Sequence, residues 1–323
     1  MALAPGMEFD LIARHFTRPA PGAVLGVGDD CALLAPTPGM ELAVTSDMLL
    51  EGRHFSPQDS PAGIGHKSLA VNLSDLAAMG ATPRWATLSI ALPAADDAWL
   101  TAFARGFFRM AEAHGIELVG GDTTRGALTI SITAIGEVPP GQALRRSGAR
   151  AGDDIWVSGH IGSAAMALAY RQGRLFMEQI DAARVLPALY LPTPRVGLGV
   201  ALRGIAHSAI DISDGLLADL GHILEASGVG AVIDFSALPV LDVVRTYLHE
   251  PVARDCVLAG GDDYELCFTA PPEARDAVIA ASVAGEIGVT RVGAIVSSPG
   301  LVVRDADGQP IPIEKTGYDH FPA

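Results

Sequence analysis

The sequence predicts a two-domain protein of mixed α/β (α+β) class, and three observations carry that expectation. The chain has 323 residues, of which 49% are hydrophobic, enough for more than one core at roughly 150 residues per domain. Segments with strand-like alternation and segments with helical spacing interleave along its whole length. Between residues 138 and 154 the run V-P-P-G-Q-A-L-R-R-S-G-A-R-A-G-D-D replaces the apolar rhythm with Pro, Gly and Arg. That shift sets a boundary between residues 1–140 and 141–323.

In the first half, A-V-T-S-D (43–47) reads as the end of a short strand, and residues 66–80 read as a helix stopped at Gly80. On that helix Asn72 and Asp75 share one polar side, with Leu69, Leu73, Leu76 and Ala77 on the other. R-W-A-T-L-S-I-A-L alternates as a strand, residues 96–114 have helical spacing, and E-L-V-G-G-D runs into a Gly-rich turn before the strand A-L-T-I-S-I-T-A-I. In the second half, I-W-V-S-G precedes a helix from about Ser163, and D-I-S-D-G precedes a helix over 216–226. A-V-I-D-F, Y-E-L-C-F-T and T-R-V-G-A-I-V read as strands. V-V-R-D-A-D-G-Q-P-I-P-I reads as a hairpin turning at Asp307-Gly308.

Acidic residues outnumber Lys plus Arg by 37 to 22, a net charge of -15. With no basic stripe to displace counterions, nucleic acid is disfavoured as a partner; a cation partner and plain solubility both fit. Cys31, Cys256 and Cys267 form no C-x-x-C pair and read as reduced thiols, which points to the cytoplasm. Glu8 and Asp10 interrupt what a secretory signal would need. The most apolar windows, 127–138 and 161–169, fall short of the ~20 residues that span a bilayer.

One kind of punctuation recurs: G-V-G-D-D-C-A-L-L (26–34), T-S-D-M-L-L-E-G (45–52), V-G-G-D-T-T-R-G (119–126), D-I-S-D-G-L-L (211–217) and L-A-G-G-D-D-Y-E-L-C-F (258–268). Carboxylates on Gly-rich turns suit hard cations such as Mg2+, which also keep waters and substrate phosphates as ligands. Glycine beside the acids lets backbone approach phosphate oxygens, although any one Asp-Gly cluster is also an ordinary turn former. No G-x-x-x-x-G-K-[ST], no G-x-G-x-x-G opening a helix, no H-E-x-x-H and no G-x-S-x-G occurs, which removes P-loop and Rossmann chemistry.

The combination V-G-D-D-C-A-L-L, T-S-D-M-L-L-E-G-R-H-F, N-L-S-D-L-A-A-M-G-A-T-P, G-G-D-T-T, D-I-S-D-G-L, G-G-D-D-Y-E-L and G-Y-D-H-F closely resembles the thiamine-monophosphate kinase family from about Glu8 to Phe321. The resemblance implies a two-domain fold like that of aminoimidazole ribonucleotide synthetase. In it the N-terminal domain binds ATP and Mg2+ and its strands pair in a homodimer barrel, followed by a C-terminal α/β domain. The implied reaction moves the γ-phosphoryl of ATP onto thiamine monophosphate, giving thiamine diphosphate. Both reactants are anions, so several Mg2+ ions are expected between them. The acceptor phosphate, with a second pKa of about 6, is mostly unprotonated, so direct in-line transfer needs no general base.

Carried over by motif, Asp30, Asp47, Asp75, Asp122, Asp211 and Asp214 resemble the family's Mg2+ ligands, with Thr45 and Ser46 adding oxygens; Asp29, Asp262 and Asp263 fit less well. Asp75 also reads as a solvated helix-face charge, and Asp214 as a favourable acid in the first turn of a helix capped near Ser213. Gly121, Asp122, Arg146 and Ser213 match ATP contacts. Arg145 could substitute for its neighbour, and both also read as exposed linker residues. His54, Glu265 and Tyr318 match the thiamine positions, where an aromatic face and an acid suit a cationic ring. Alternatively Tyr318 tethers the tail and His54 packs. Arg53 stands where relatives commonly carry an apolar residue, and Tyr318 where some carry tryptophan.

Rival readings are selenophosphate synthetase and a hydrogenase maturation factor of the same superfamily, a non-catalytic nucleotide or thiamine-phosphate sensor on this fold, and a metal-dependent phosphatase. The chain ends H-F-P-A without cysteine and has no Cys-Lys start, which disfavours the first two. A sensor or phosphatase is separated by product formation and by its ATP requirement.

Overall fold

The computed structural model describes residues 7–313, 315 and 317. Its contacts divide the chain into two compact units, one of Met1–Leu76 and Ala81–Pro140, the other of Ala77–Gly80 and Gly141–Ala323.

The first unit opens with the short helix α1 (Met7–Leu11), which runs on into a π-helical turn over Ile12–Phe16. A four-stranded sheet follows, with β1 (Glu41–Leu50), β2 (Thr82–Leu92), β3 (Glu117–Arg125) and β4 (Thr129–Val138) in the spatial order β1-β4-β2-β3. Only β2 and β3 run parallel, joined through helix α3 (Asp97–His114); the other pairs are antiparallel. The α3 helix starts and stops where its sequence says. Asp96 accepts hydrogen bonds from the N–H groups of Ala98 and Trp99, and Gly115 closes the helix at φ 63°.

Helix α2 (Pro61–Ala78) begins earlier than its periodicity suggests, with a proline at its first position, where the missing N–H costs nothing. It crosses α3 at two glycines. A Cβ on Gly65 would stand 2.1 Å from the Phe103 carbonyl oxygen, and one on Gly106 would stand 1.8 Å from that of Ala62. The helices therefore meet backbone to backbone. Trp85, Phe103 and Phe107 are fully buried around them. The other face of β1 stays open, with Leu42, Val44, Met48 and Leu50 each between 40% and 63% exposed.

Two expectations fail here for physical reasons. The strand holding Thr45 and Asp47 is ten residues long and continues past Asp47, because β4 pairs with it all the way to Leu50. Gly120-Gly121-Asp122 is not a turn: β3 runs straight through it with a register irregularity at Ala86/Thr87 of β2. Gly121 is needed there because, at φ 148°, a Cβ would lie 1.8 Å from the Leu88 carbonyl oxygen.

The second unit contains β5 (Asp154–Ser158), α4 (Ser163–Arg171), α5 (Gln179–Tyr190), α6 (Val196–Ala201), β6 (Ser208–Asp211), α7 (Leu216–Ser227) and β7 (Gly230–Asp234). Then follow α8 (Asp242–Thr246), α9 (Pro251–Ala259), β8 (Leu266–Ala270), α10 (Arg275–Ala284), β9 (Val289–Val296) and β10 (Gly300–Arg304). The six strands lie in the order β10-β7-β9-β5-β8-β6, with only β10 and β7 parallel. The neighbouring interior strands β5 and β8 are buried along their whole length. The Asp307-Gly308 hairpin forms: Asp305 Oδ1 accepts from the N–H groups of Asp307 and Gln309, and Ile311 N–H returns to the Val303 carbonyl. No helix among the described residues is long and apolar enough to cross a membrane.

Candidate functional site

In the first unit, strand alternation turns Thr45 and Asp47 to the same side of β1, and α2 brings its Asn72 and Asp75 to meet them. Thr45 Oγ1 donates to Asp75 Oδ2, and Asn72 Oδ1 accepts the Asp47 backbone N–H at 3.1 Å. Asn72 is completely buried and also donates to the Ser68 carbonyl, so the polar side of this helix faces the protein and not solvent. Burial, and then the neighbouring Asp75 charge, push the Asp47 carboxyl up to about 6. Two acids placed so that each raises the other's cost of ionisation form a site that asks for positive charge.

Other expected ligands stand apart from this group. Ser46 points to the opposite side of β1, its Oγ donating to the Ile132 carbonyl and 3.1 Å from Thr133 Oγ1. Asp122 is exposed on β3, in register with Ser89. Asp30 is exposed in the loop before β1, where its N–H donates to Asp29 Oδ1. His54 sits in the turn that ends β1; its Nδ1 accepts the Leu50 N–H at 3.0 Å, which leaves the neutral ring's proton on Nε2.

In the second unit the two acidic turns are joined by backbone. Ile212 N–H donates to the Glu265 carbonyl, Tyr264 N–H to that of Ile212, and Asp262 N–H to that of Ser213, at 2.7, 2.8 and 2.9 Å. Asp211 closes β6 and is buried, while Ser213 and Asp214 are half-buried on the turn. What shapes that turn is Asp219, from the first turn of α7: its Oδ2 accepts the N–H groups of Ser213, Asp214 and Gly215, each at 3.0 Å. Burial pushes the Asp219 carboxyl up to about 7 against the pull of those donors. Sequence reading missed this residue, since an acid in the first turn of a helix is an ordinary dipole complement and does not reveal that it accepts the N–H groups of the preceding turn.

Asp263 plays a similar part. Its Oδ2 accepts the Gly162 N–H at 2.8 Å at the start of α4, and full burial raises its carboxyl well above the usual range. The backbone on either side is strained to fit, with Asp262 at φ 68° and Tyr264 at φ 52°. Glu265 is 3% exposed. Arg195 grips it with two bonds, Nε to Oε2 at 2.7 Å and Nη2 to Oε1 at 2.5 Å, and Ser158 Oγ donates to Oε2 at 2.5 Å. Arg145 and Arg146 are exposed, and their carbonyls accept from Ala209 N–H and Ser227 Oγ. Tyr318 lies outside the described residues.

Among the described residues no three His, Cys, Asp or Glu side chains gather closely enough to hold a metal by themselves. The eight expected ligands thus fall into a Thr45–Asp47–Asp75 group, an Asp211–Asp214 turn and separate oxygens.

Comparison with known proteins identifies the family. Residues 28–138 match the N-terminal domain of AIR synthase related protein, and residues 150–306 match its C-terminal domain. A thiamine-monophosphate kinase of Salmonella typhimurium is 45% identical over 97% of this chain and 98% of its own. The crystal structure of thiamine-monophosphate kinase from Stenotrophomonas maltophilia K279a is 49% identical, covers 94% of this chain and 96% of its own, and superposes with a TM-score of 0.84. AaThiL complexed with AMPPCP and TMP is 29% identical over 97% of this chain and 96% of its own, with a TM-score of 0.77. A match that runs through both units at this identity and coverage leaves one conclusion: the chain belongs to the thiamine-monophosphate kinase family.

Proposed function

We propose that the protein phosphorylates thiamine monophosphate with ATP, giving thiamine diphosphate and ADP by direct in-line transfer assisted by Mg2+. The observation that carries this reading is the Asp47–Asp75 pair, two carboxylates close enough for the Asp75 charge to help raise Asp47 to about 6, with Thr45 donating to Asp75. The donor set is entirely oxygen, which fits Mg2+. Bound there, the ion would neutralise phosphate charge between the two anionic reactants.

Thr45, Asp47 and Asp75 form the ligand group on the first unit, with Asp30, Ser46 and Asp122 adding oxygens around the nucleotide. Asp211 and Asp214 serve the second, on the turn that Asp219 fixes. Gly121, Asp122, Arg146 and Ser213 contact ATP. Support for Arg146 comes from its exposed side chain on a backbone tied to α7. His54, Glu265 and Tyr318 serve the thiamine end, and Arg195 and Ser158 hold the Glu265 carboxylate in one orientation. The acceptor phosphate ionises near pH 6, so no side chain need remove a proton. The open apolar face of β1 supports a homodimer built through the first unit, and the free thiols of Cys256 and Cys267 support a cytoplasmic setting.

The test incubates protein and MgATP with thiamine monophosphate or with thiamine, and identifies products by mass spectrometry. Diphosphate formed from the monophosphate alone, and lost in Asp47→Asn, is the expected result. ATP binding without product would replace the kinase by a sensor, and phosphate release without ATP by a phosphatase.

A further inference from the structure

The outer face of α3 carries a concentration of positive charge that the kinase reading does not use. Arg105 and Arg109 are one helical turn apart, exposed, and make no hydrogen bond or ion pair among the described residues. Like charges at that spacing repel and weaken a helix. Facing them are Arg14 and Arg18, from the π-helical turn and the residues after it, so that four arginines line one cavity of about 430 Å³. Among the described residues Glu112 is the one acid on its wall. In a chain with 37 acidic and 22 basic side chains, a solvated surface of average composition would show the opposite balance.

Two of the arginines are held in place. Asp97 Oδ1 accepts from Arg14 Nη1 at 2.5 Å and lies 3.0 Å from His15 Nε2, with His15 itself 4% exposed. The Arg18 guanidinium lies over the Phe108 ring, 4.8 Å from its centre, and donates to the Thr17 carbonyl. Two of the four guanidinium groups are thus held in position at the cavity and two are free to close on a ligand, none of them shared with the carboxylates of the candidate site.

We propose that this cavity is a second ligand site that binds a small phosphate-rich anion, a di- or triphosphate, without a divalent cation. Guanidinium forks match phosphate oxygens in pairs, and the volume suits a small molecule. A nucleic acid would need an extended basic track, and the acidic remainder of the chain repels one. The ligand chemistry is common to a nucleoside diphosphate and to thiamine diphosphate.

The test is calorimetric titration of the full chain with inorganic tripolyphosphate in EDTA, which removes the Mg2+ that the kinase site needs. One saturable site is expected, weakened at least about tenfold in Arg105→Ala/Arg109→Ala, because each lost charge-assisted bond carries a factor of that order. The same affinity is expected in Asp47→Asn/Asp75→Asn. The arginine variant keeps its fold, since exposed alanine favours a helix; circular dichroism checks this. No saturable binding at millimolar ligand, or binding indifferent to the arginine pair but lost in Arg145→Ala/Arg146→Ala, overturns the proposal. Titrations with ADP and with thiamine diphosphate then rank the two sources of the anion. The result is independent of whether the protein turns over thiamine monophosphate.

Discussion

The acidic motifs of the two units look alike in sequence and do different work in the structure. In the first unit Asp47 sits in mid-strand and Asp75 on a buried helix, near enough that the Asp75 charge helps raise the Asp47 carboxyl. In the second, Asp219 and Asp263 turn their carboxylates onto backbone N–H groups, and so shape the turns that carry Asp211, Asp214 and Glu265. One unit sets two like charges near each other, which is what the proposed cation site requires. The other uses some of its acids as scaffolding for the rest. Counting aspartates in a motif therefore overstates how many can reach a ligand.

The strongest way to break this comparison is Asp47→Asn. Turnover should fall at least about a hundredfold, as when one preorganised charge contact is removed, while stability in EDTA should rise by about 1–2 kcal/mol at neutral pH. The sign follows from protons: with the folded pKa near 6 and the ordinary value 3.8, the folded state binds more protons between those values. Asp47 therefore makes the metal-free parent less stable as pH rises from about 4 to 6, and in urea melts the variant should show a shallower slope there, keeping the part that Asp219 and Asp263 contribute. A variant that is both inactive and less stable would make Asp47 scaffolding too.

Asp219→Ala should do the reverse. Three N–H groups lose their common acceptor, and about 3 kcal/mol of stability should go with them, against about 1 kcal/mol for Asp219→Asn, which keeps an oxygen in place. Denaturant unfolding of the pair decides it. Equal losses would mean that the turn does not depend on those bonds.

The smallest effect belongs to an acid of a third kind. Asp154 on β5 is 2% exposed and bonds Arg275 at 2.6 and 2.9 Å and Arg291 at 3.3 Å. The Arg275 hydrogen bonds, above all, hold its carboxyl below the usual range. Its contribution is present above the unfolded pKa and is lost as pH drops through the lower folded value, so it concerns acid unfolding alone. Because both guanidinium groups are half exposed, Asp154→Asn should cost only about 1 kcal/mol at pH 7. It should also flatten the pH dependence of stability below about 4.

Local signals made much of this fold legible. The helical spacing over 96–114 became α3 and Asp307-Gly308 makes its turn, whereas α2 starts at Pro61, five residues before the spacing over 66–80 suggested. The site was legible as motifs and not as contacts. Nothing near Glu265 in sequence announces Arg195, 70 residues away, and nothing near Asp47 announces Asn72 as the acceptor of its N–H. The glycines of G-G-D-T were misread because their reason is the Leu88 carbonyl of a neighbouring strand, which no local pattern reveals.

The glycine crossing of α2 and α3 has a consequence for anyone reading mutant kinetics. Gly106 touches no carboxylate, yet an added methyl would meet the Ala62 carbonyl oxygen at 1.8 Å and could fit only if α2 moved away. Asp75 rides on that helix, so the displacement would open its contact with Thr45. Gly106→Ala should thus behave as a remote tuner of cation affinity, demanding more Mg2+ for half-maximal rate. A Mg2+ requirement equal to the parent's would show that the helix absorbs the strain elsewhere.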